Sequence, residues 1–281
     1  MDAMKKKELQ IFAAKARIGV IEGVYNAKAG HPGGSLSICD LLAYLYNGEM
    51  SIDASNPHNE DRDRFVLSKG HAAPALYATL ALKGFFPVED LKTLRKSDSY
   101  LQGHPNMNKI PGVDMSTGSL GQGISAAVGM ALGAKLDKKD FRVYTVLGDG
   151  EIEEGEVWEA AMFAANRGLD NLVAVVDYNG LQIDGTVEEV NSPYPIADKF
   201  KAFKWNVVEI DGHDFDAIES ALKNARATKG VPTCIVMKTI KGKGVSYMEN
   251  AVGWHGKAPN DEQYAQAMED LEKVGEALCQ K

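Results

Sequence analysis

Short apolar runs alternate along this chain with longer stretches of helical composition. The run from Phe141 to Leu147 is rich in β-branched and aromatic residues and ends at Gly148, which predicts a strand. Glu151 to Arg167 has helical composition, and Leu172 to Val176 is a second strand-like run that ends at Asp177. Further strands are predicted at Val207 to Ile210 and Thr233 to Met237. This alternation predicts an α/β fold, an open and mostly parallel sheet flanked by helices, in one domain over residues 1–281.

Two other apolar stretches predict helices rather than strands. Met115 to Ala134 has no charged residue over a length that could cross a membrane, but it contains five glycines and five Ser, Thr or Gln residues. We therefore expect a loop followed by a tightly packed helix of small residues. Within it, Gly121 to Ala126 fits the dinucleotide pattern Gly-x-Gly-x-x-Ala, yet no strand precedes it, which argues against such a site. Asp261 to Leu278 has apolar residues at helical spacing.

Asp149, within Gly148-Asp149-Gly150, and Asn179 each follow a predicted strand. A helical crossover makes the two strands parallel, so both side chains should emerge at the carboxyl edge of the sheet, where such sheets bind ligands. A carboxylate, an amide oxygen and the backbone carbonyl of Leu181 suit Mg²⁺ shared with a diphosphate. The glycines allow close approach, and amides that open a helix face anions. The alternative is an ordinary turn with Asp149 as a helix cap.

Five of the six histidines adjoin a glycine, which places them on loops where a ligand can approach closely. They lack the close helical spacing of zinc ligands. An ordinary pKa of about 6.5 suits a histidine to proton transfer, or to hydrogen bonding with hydroxyls and anions. His213 lies in Asp211-Gly212-His213-Asp214, which is typical of a turn after a strand, so we expect a structural role for it.

Composition limits the classes of function. The net charge of −8 and the pI of about 5.3 argue against a nucleic-acid surface, because phosphate binding relies on Lys and Arg. We expect a soluble cytoplasmic protein without a membrane segment. Its three cysteines are widely spaced and lack a Cys-x-x-Cys pair, so neither a disulfide framework nor a zinc site is indicated. Cys234 lies inside an apolar run and is expected to be an inert core residue.

Four of the glycine-flanked histidines, the Thr117 to Gly123 segment and the Asp149 block give six ordered segments that cover nearly the whole chain. These are Ala29-Gly30-His31-Pro32-Gly33-Gly34, Ser68-Lys69-Gly70-His71-Ala72, Gly103-His104-Pro105, Thr117 to Gly123, Gly148 to Gly185 and Trp254-His255-Gly256. In this order they resemble the signature segments of the cofactor domain of transketolases. The resemblance implies the thiamine-diphosphate-binding fold, in its diphosphate-binding domain.

The resemblance also implies a role for each matching histidine. His31 and His104 would lie beside the donor ketose, where they would bind its hydroxyls and assist proton transfers. His71 and His255 would contact the diphosphate and the reacting centre. The catalytic residues so implied are His31, His104 and His255.

Cofactor and metal contacts follow from the resemblance in the same way. The metal, Mg²⁺ or alternatively Ca²⁺ or Mn²⁺, would be held by Asp149, Asn179 and the Leu181 carbonyl. The implied thiamine diphosphate contacts, beyond His71 and His255, are Lys69, Gly118, Ser119, Leu120, Gly148, Asp149, Gly150, Glu154, Asn179 and Lys241. Five glutamates crowd the start of the helix after Gly150, and most of them are expected to form a helix cap and a solvated face. Glu154 and Glu159 match glutamates of the family's subunit interface.

The resembled family has a pyrimidine-binding domain that follows the diphosphate domain and supplies the glutamate that activates the cofactor. After His255 only one predicted helix remains, too little for a second domain of ordinary size. We therefore expect the pyrimidine-binding and C-terminal domains to be absent. The chain would be the N-terminal subunit of a split transketolase in an α2β2 assembly with a C-terminal subunit. The pair would transfer a two-carbon ketol unit from a ketose phosphate to an aldose phosphate, as in the pentose phosphate pathway.

Other classes of function stay open from the sequence alone. One is another thiamine diphosphate enzyme, such as the α subunit of a 2-oxo acid dehydrogenase or a relative of 1-deoxyxylulose-5-phosphate synthase. The segments around His31 and His71 argue against the dehydrogenase. A more distant alternative is a non-catalytic regulatory subunit, against which the six intact segments argue.

Overall fold

A computed structural model describes residues 1–280, apart from the side chains of Glu276, Cys279 and Gln280. Its strands are β1 (Arg64–Leu67), β2 (Val143–Gly148), β3 (Leu172–Tyr178), β4 (Leu181–Gln182), β5 (Gly185–Thr186), β6 (Asn206–Asp211) and β7 (Thr233–Lys238). Five of them form a parallel sheet in the order β1-β2-β3-β7-β6, and β4 and β5 form a small antiparallel hairpin. The predicted parallel α/β sheet is confirmed.

Helices cover both faces of the sheet. They are α1 (Ala3–Ala27), α2 (Pro32–Leu36), α3 (Cys39–Tyr44), α4 (Ala73–Leu82), α5 (Gln122–Leu136), α6 (Gly155–Asn166), α7 (Val187–Asn191), α8 (Ile196–Ala202), α9 (Phe215–Ala227) and α10 (Asp261–Gln280). Short 3₁₀ turns lie at Gly70–Ala72, Val88–Thr93, Glu151–Glu153 and Val252–Trp254, and a π turn follows α3 at Leu45–Glu49. No helix within residues 1–280 is long and apolar enough to span a membrane.

Alternate residues of each strand enter two separate cores. On β2, Tyr144 and Val146 pack into the core formed with α1, α3, α4 and α9. Val143 and Leu147 pack on the opposite face against α5, α6 and α8. Because both faces are covered, the central strands are nearly continuous apolar runs, as is usual for parallel sheets. The polar residues that follow these strands lie at the carboxyl edge of the sheet.

Most element boundaries agree with the sequence prediction within two residues. The uncharged segment is a loop followed by α5, and the C-terminal helix begins at Asp261 as expected. Cys234 is buried, and burial raises the pKa of its thiol. The helix predicted from Glu151 was wrong at its start, because residues 151–153 form a 3₁₀ turn and α6 begins only at Gly155. The reason is that the Glu151 side chain turns inward.

Candidate active site

Asp149 and Asn179 meet at the carboxyl edge of the sheet, as predicted. Gly148 pairs with Asp177 in the β2–β3 register, so the two segments leave the sheet side by side. The Gly180 amide donates to Asp149 Oδ2 at 2.5 Å, and the Gly150 amide donates to Asp149 Oδ1 at 3.0 Å. The Asp149 carboxylate is 2% exposed, so it is held by backbone amides and not by water.

The other two predicted metal ligands lie in the same loop. Asn179 Oδ1 accepts from the Leu181 amide at 3.2 Å, while its Nδ2 donates to Asp177 at 3.0 Å. The Leu181 carbonyl accepts from Lys241 Nζ at 2.8 Å. That ammonium also lies 2.9 Å from His255 Nδ1. Lys241 therefore joins the predicted metal ligands to the histidines.

The electrostatics of this edge suit a bound cation. Burial and the nearby Asp177 carboxylate raise the pKa of Asp149 to about 7, and burial and the Lys69 charge lower the pKa of Lys241 to about 8. A buried carboxylate beside another of like charge is stabilised by an added cation. No group of three or more His, Cys, Asp or Glu in residues 1–280 could hold a metal. A cation here would rely on one carboxylate, one amide oxygen, one carbonyl and the oxygens of a ligand, a set that suits Mg²⁺.

Four of the glycine-flanked histidines form one cluster. The ring centroid of His31 lies 5.3 Å from that of His71, 5.5 Å from that of His255 and 6.2 Å from that of His104. His71 and His255 stack with centroids 5.1 Å apart. Residues that are far apart in sequence therefore come together in one cluster at the sheet edge.

These histidines are neutral near pH 7. Burial, aided by the charge of Arg95, lowers the pKa of His31 to about 4, and burial, aided by Lys241, lowers that of His255 to about 3. Burial also lowers the pKa of His71 and His104. A neutral imidazole carries one donor and one acceptor nitrogen, which suits it to bind sugar hydroxyls. His31 Nδ1 is buried and has no hydrogen-bond partner within residues 1–280.

The predicted residues line two adjoining cavities. The first, of about 220 Å³, contains most of the predicted cofactor contacts and the three metal ligands. The second, of about 430 Å³, is lined by His104 and Ser119 and shares Gly118 with the first. Glu154 lies outside both cavities as an exposed residue before α6, and Glu159 is exposed on that helix. The structure therefore brings together all the predicted site residues except Glu154.

Glu151 is an exception to the expectation that most of the five glutamates after Gly150 form a helix cap and a solvated face. Its side chain is 2% exposed, and its carboxylate accepts from the Gly121 amide at 3.0 Å and the Gly148 amide at 2.9 Å. It also accepts from the Ser68 hydroxyl. Glu151 thus joins the three loops that carry Lys69, Gly118 and Asp149. The sequence did not reveal this role, because acidic residues are common in the first turn of a helix for electrostatic reasons alone.

Asp177 and Arg95 were also missed. Asp177 is fully buried and forms an ion pair with Lys69, whose ammonium lies 2.6 Å from Asp177 Oδ2 and 2.7 Å from the Gly34 carbonyl. A charged residue at the end of an apolar run was the available signal for Asp177. Arg95 is exposed with a left-handed backbone, and its guanidinium packs over Gly103 beside the histidines. No sequence pattern pointed to Arg95.

His213 lies outside the cluster and has the structural role that was predicted. Its Nδ1 pairs with Asp40 Oδ2 at 2.7 Å, and its Nε2 accepts from the Ile240 amide at 3.0 Å. Asp40 in turn forms a buried ion pair with Arg17 at 2.5 Å. This network, which joins α1 to the residue before Lys241, supports the loop from which Lys241 reaches the site.

Buried lysines, neutral histidines and close-packed glycine loops at the edge of a parallel sheet define a domain that binds a phosphorylated cofactor. Residues 9–274 match the family model described as transketolase, thiamine diphosphate binding domain. The chain belongs to the transketolase family, which confirms the resemblance found in the sequence.

Two relatives match the chain over nearly their whole length. The chain is 50% identical over 268 residues to the 6-deoxy-6-sulfo-D-fructose transketolase subunit of Clostridium sp. (strain MSTE9), covering 95% of the chain and 98% of that protein. It is 44% identical over 275 residues to one subunit of the apulose-4-phosphate transketolase of Phocaeicola vulgatus, covering 98% of both. The transketolase structure from Campylobacter jejuni superposes with a TM-score of 0.89 at 32% identity, covering 99% of this chain but 46% of that one.

Proposed function

We propose that this chain is the N-terminal, diphosphate-binding subunit of a two-subunit transketolase. The observation that carries the proposal is the convergence of four histidines with Asp149, Asn179 and the Leu181 carbonyl at one sheet edge. Support comes from two relatives that are named as transketolase subunits and have nearly the same length as this chain.

The proposed reaction moves a two-carbon ketol unit from a ketose phosphate to an aldose phosphate. Thiamine diphosphate supplies the nucleophilic carbon that carries this unit. The neutral imidazoles of His31 and His104 would bind the hydroxyls of the donor ketose and assist proton transfers. His255, held by Lys241 at its Nδ1, presents its other nitrogen to the reacting centre.

The diphosphate and a divalent metal take the first cavity in this proposal. Asp149, Asn179 and the Leu181 carbonyl would hold Mg²⁺, with Ca²⁺ or Mn²⁺ as substitutes, and the diphosphate would supply further oxygens. His71 and Lys241 lie beside them as donors to the diphosphate. Gly118 lets its loop pack closely against His104, since a Cβ there would lie 3.3 Å from the His104 ring.

The cofactor and metal sites are tested by thermal stability. A ligand at a hundred times its dissociation constant stabilises the folded chain by about 2.7 kcal/mol. Thiamine diphosphate with Mg²⁺ should therefore raise the Tm of the wild type, and Asp149→Ala should abolish the rise. Asp184→Ala, which removes an exposed carboxylate between β4 and β5, is the matched control and should keep it. An unchanged rise in Asp149→Ala contradicts the ligand role of that residue.

The proposed enzyme also needs a second, different subunit. The partner would carry the pyrimidine-binding domain, would complete an α2β2 assembly and should co-purify with this chain. Ketol transfer should need both chains, so full activity of this chain alone would refute the split enzyme. Cytoplasmic location stays a prediction from composition.

The donor and acceptor sugars require an assay panel. Xylulose 5-phosphate tests the pentose phosphate reaction. 6-Deoxy-6-sulfo-D-fructose and apulose 4-phosphate test the substrates for which the two relatives are named. Turnover of pyruvate would instead favour a 2-oxo acid dehydrogenase or a synthase. A folded complex that binds cofactor and turns over none of these sugars would point to a regulatory subunit.

A further inference from the structure

The side chain of Asp177 accepts four hydrogen bonds in the protein interior, one of them from the proposed metal ligand Asn179. Its Oδ2 accepts from Ser37 Oγ at 2.8 Å, from Lys69 Nζ at 2.6 Å and from Asn179 Nδ2 at 3.0 Å, and its Oδ1 accepts from the Thr239 hydroxyl. Asp177 is completely buried and does not line the cavity. It therefore acts on a ligand only through the residues that it holds.

The contact with Asn179 determines which way that side-chain amide points. An ionised carboxylate only accepts hydrogen bonds, so the NH₂ group of Asn179 must face Asp177. The Asn179 oxygen is then directed away from Asp177, where it already accepts from the Leu181 amide. A divalent metal binds the oxygen of an amide and not its NH₂ group. A rotated Asn179 would present the wrong atom to the cation.

Lys69 belongs to the same hydrogen-bonded group as Asp177 and Asn179. Two of its ammonium hydrogens are directed at Asp177 and at the Gly34 carbonyl, and the side chain is 1% exposed. A buried carboxylate without a counter-ion is costly, so Lys69 keeps Asp177 in its accepting form. The main role of Lys69 is then to support Asp177, beyond any contact with the cofactor.

We propose that Asp177 is a positioning residue for the metal site, which fixes the Asn179 amide with its oxygen toward the cation. This inference rests on the proposed function, because it assumes that Asn179 binds the metal. It also assigns Lys69 and Thr239 as the groups that hold Asp177 in place. Outer partners of this kind change metal affinity by roughly 10 to 100-fold when they are removed.

Two double variants of equal charge test the inference. Lys69→Met with Asp177→Leu removes the ion pair and the side-chain acceptor of Asn179 Nδ2, and leaves only the longer contact of 3.5 Å to the backbone carbonyl of residue 177. Lys69→Met with Asp177→Asn also removes both charges but keeps one oxygen that can accept from Asn179. Affinity for Mn²⁺, measured by electron paramagnetic resonance with saturating thiamine diphosphate, should fall about 10 to 100-fold in the Leu variant. The Asn variant should recover most of that loss.

The possible outcomes separate the two proposals. Equal Mn²⁺ affinity in the Leu and Asn variants, both folded by circular dichroism, overturns the positioning role. A wild-type chain that binds no Mn²⁺ overturns the proposed metal site and this inference with it. If the Leu variant does not fold, Thr239→Val and Thr239→Ser answer the same question. The Val variant should bind Mn²⁺ more weakly than the Ser variant, and equal binding again overturns the inference.

Discussion

Replacing Asp40 by Asn should cost about 2 to 5 kcal/mol of folding free energy. Burial disfavours the charge of Asp40, but Arg17 and His213 outweigh this and lower the pKa to about 2. A shift from the ordinary 3.8 is worth about 2 kcal/mol to the folded state at neutral pH. The upper figure comes from the unpaired Arg17. Its side chain is 8% exposed, so the substitution would leave a buried positive charge without its carboxylate partner. Removing one partner of a buried ion pair costs about 3 to 5 kcal/mol.

The stability that Asp40 contributes should depend on pH in one direction. The folded pKa of Asp40 is depressed, so its contribution is fully present above the ordinary pKa and is lost as the pH falls from about 4 toward 2. Urea unfolding of the wild type and Asp40→Asn should therefore differ most at pH 7, and the gap should narrow below about pH 4. Asp198→Asn breaks an exposed pair and should cost about 0 to 1 kcal/mol. A loss in Asp40→Asn no larger than in this control refutes the reasoning.

Two further substitutions test the electrostatics and the packing of the site. Arg95→Gln removes a positive charge beside His31 and His104, so the pKa of both histidines should rise, and the rise should be smaller in high salt. Unchanged histidine titrations by NMR would exclude the Arg95 charge as a cause of the lowered pKa values. Gly123→Ala should cost about 1 to 3 kcal/mol, since a Cβ there would lie 2.5 Å from the backbone after β1. Gly129 lies on the same helix, and a Cβ there would meet no described atom within 4 Å apart from its neighbours in the helix. Gly129→Ala should instead stabilise by about 0.5 to 1 kcal/mol, and equal denaturation midpoints for the two variants would contradict this packing.

The fold was predictable because buried parallel strands have near-continuous apolar runs. The run before Gly148 and the run before Asp177 each ended where the sheet ends, which located the edge that carries Asp149 and Asn179. The helix start after Gly150 was wrong for a physical reason. Local composition reports helix preference, whereas two long-range hydrogen bonds, from Ser68 and Gly121, and a local one from Gly148 hold the Glu151 carboxylate in the interior.

The candidate site was predictable where its residues lie in glycine-rich segments. His31, His71 and His255 were found in this way, and the structure places them within one cluster. Asp177 and Arg95 lie outside these segments. The sequence signal for Asp177 was a charged residue at the end of an apolar run, and none was found for Arg95. The contacts that both residues make could not be predicted, because contacts over such sequence separations have no local pattern.

The histidine cluster draws on loops from the beginning to the end of the chain. The ring centroids of His31 and His255 lie 5.5 Å apart, although all five strands of the main sheet come between these two residues in the sequence. Bringing such distant segments together is slow, and it carries a large loss of chain entropy. No partly folded chain would therefore contain a cofactor site. Added thiamine diphosphate should leave the refolding rate unchanged and slow unfolding, because only the fully folded chain would bind it.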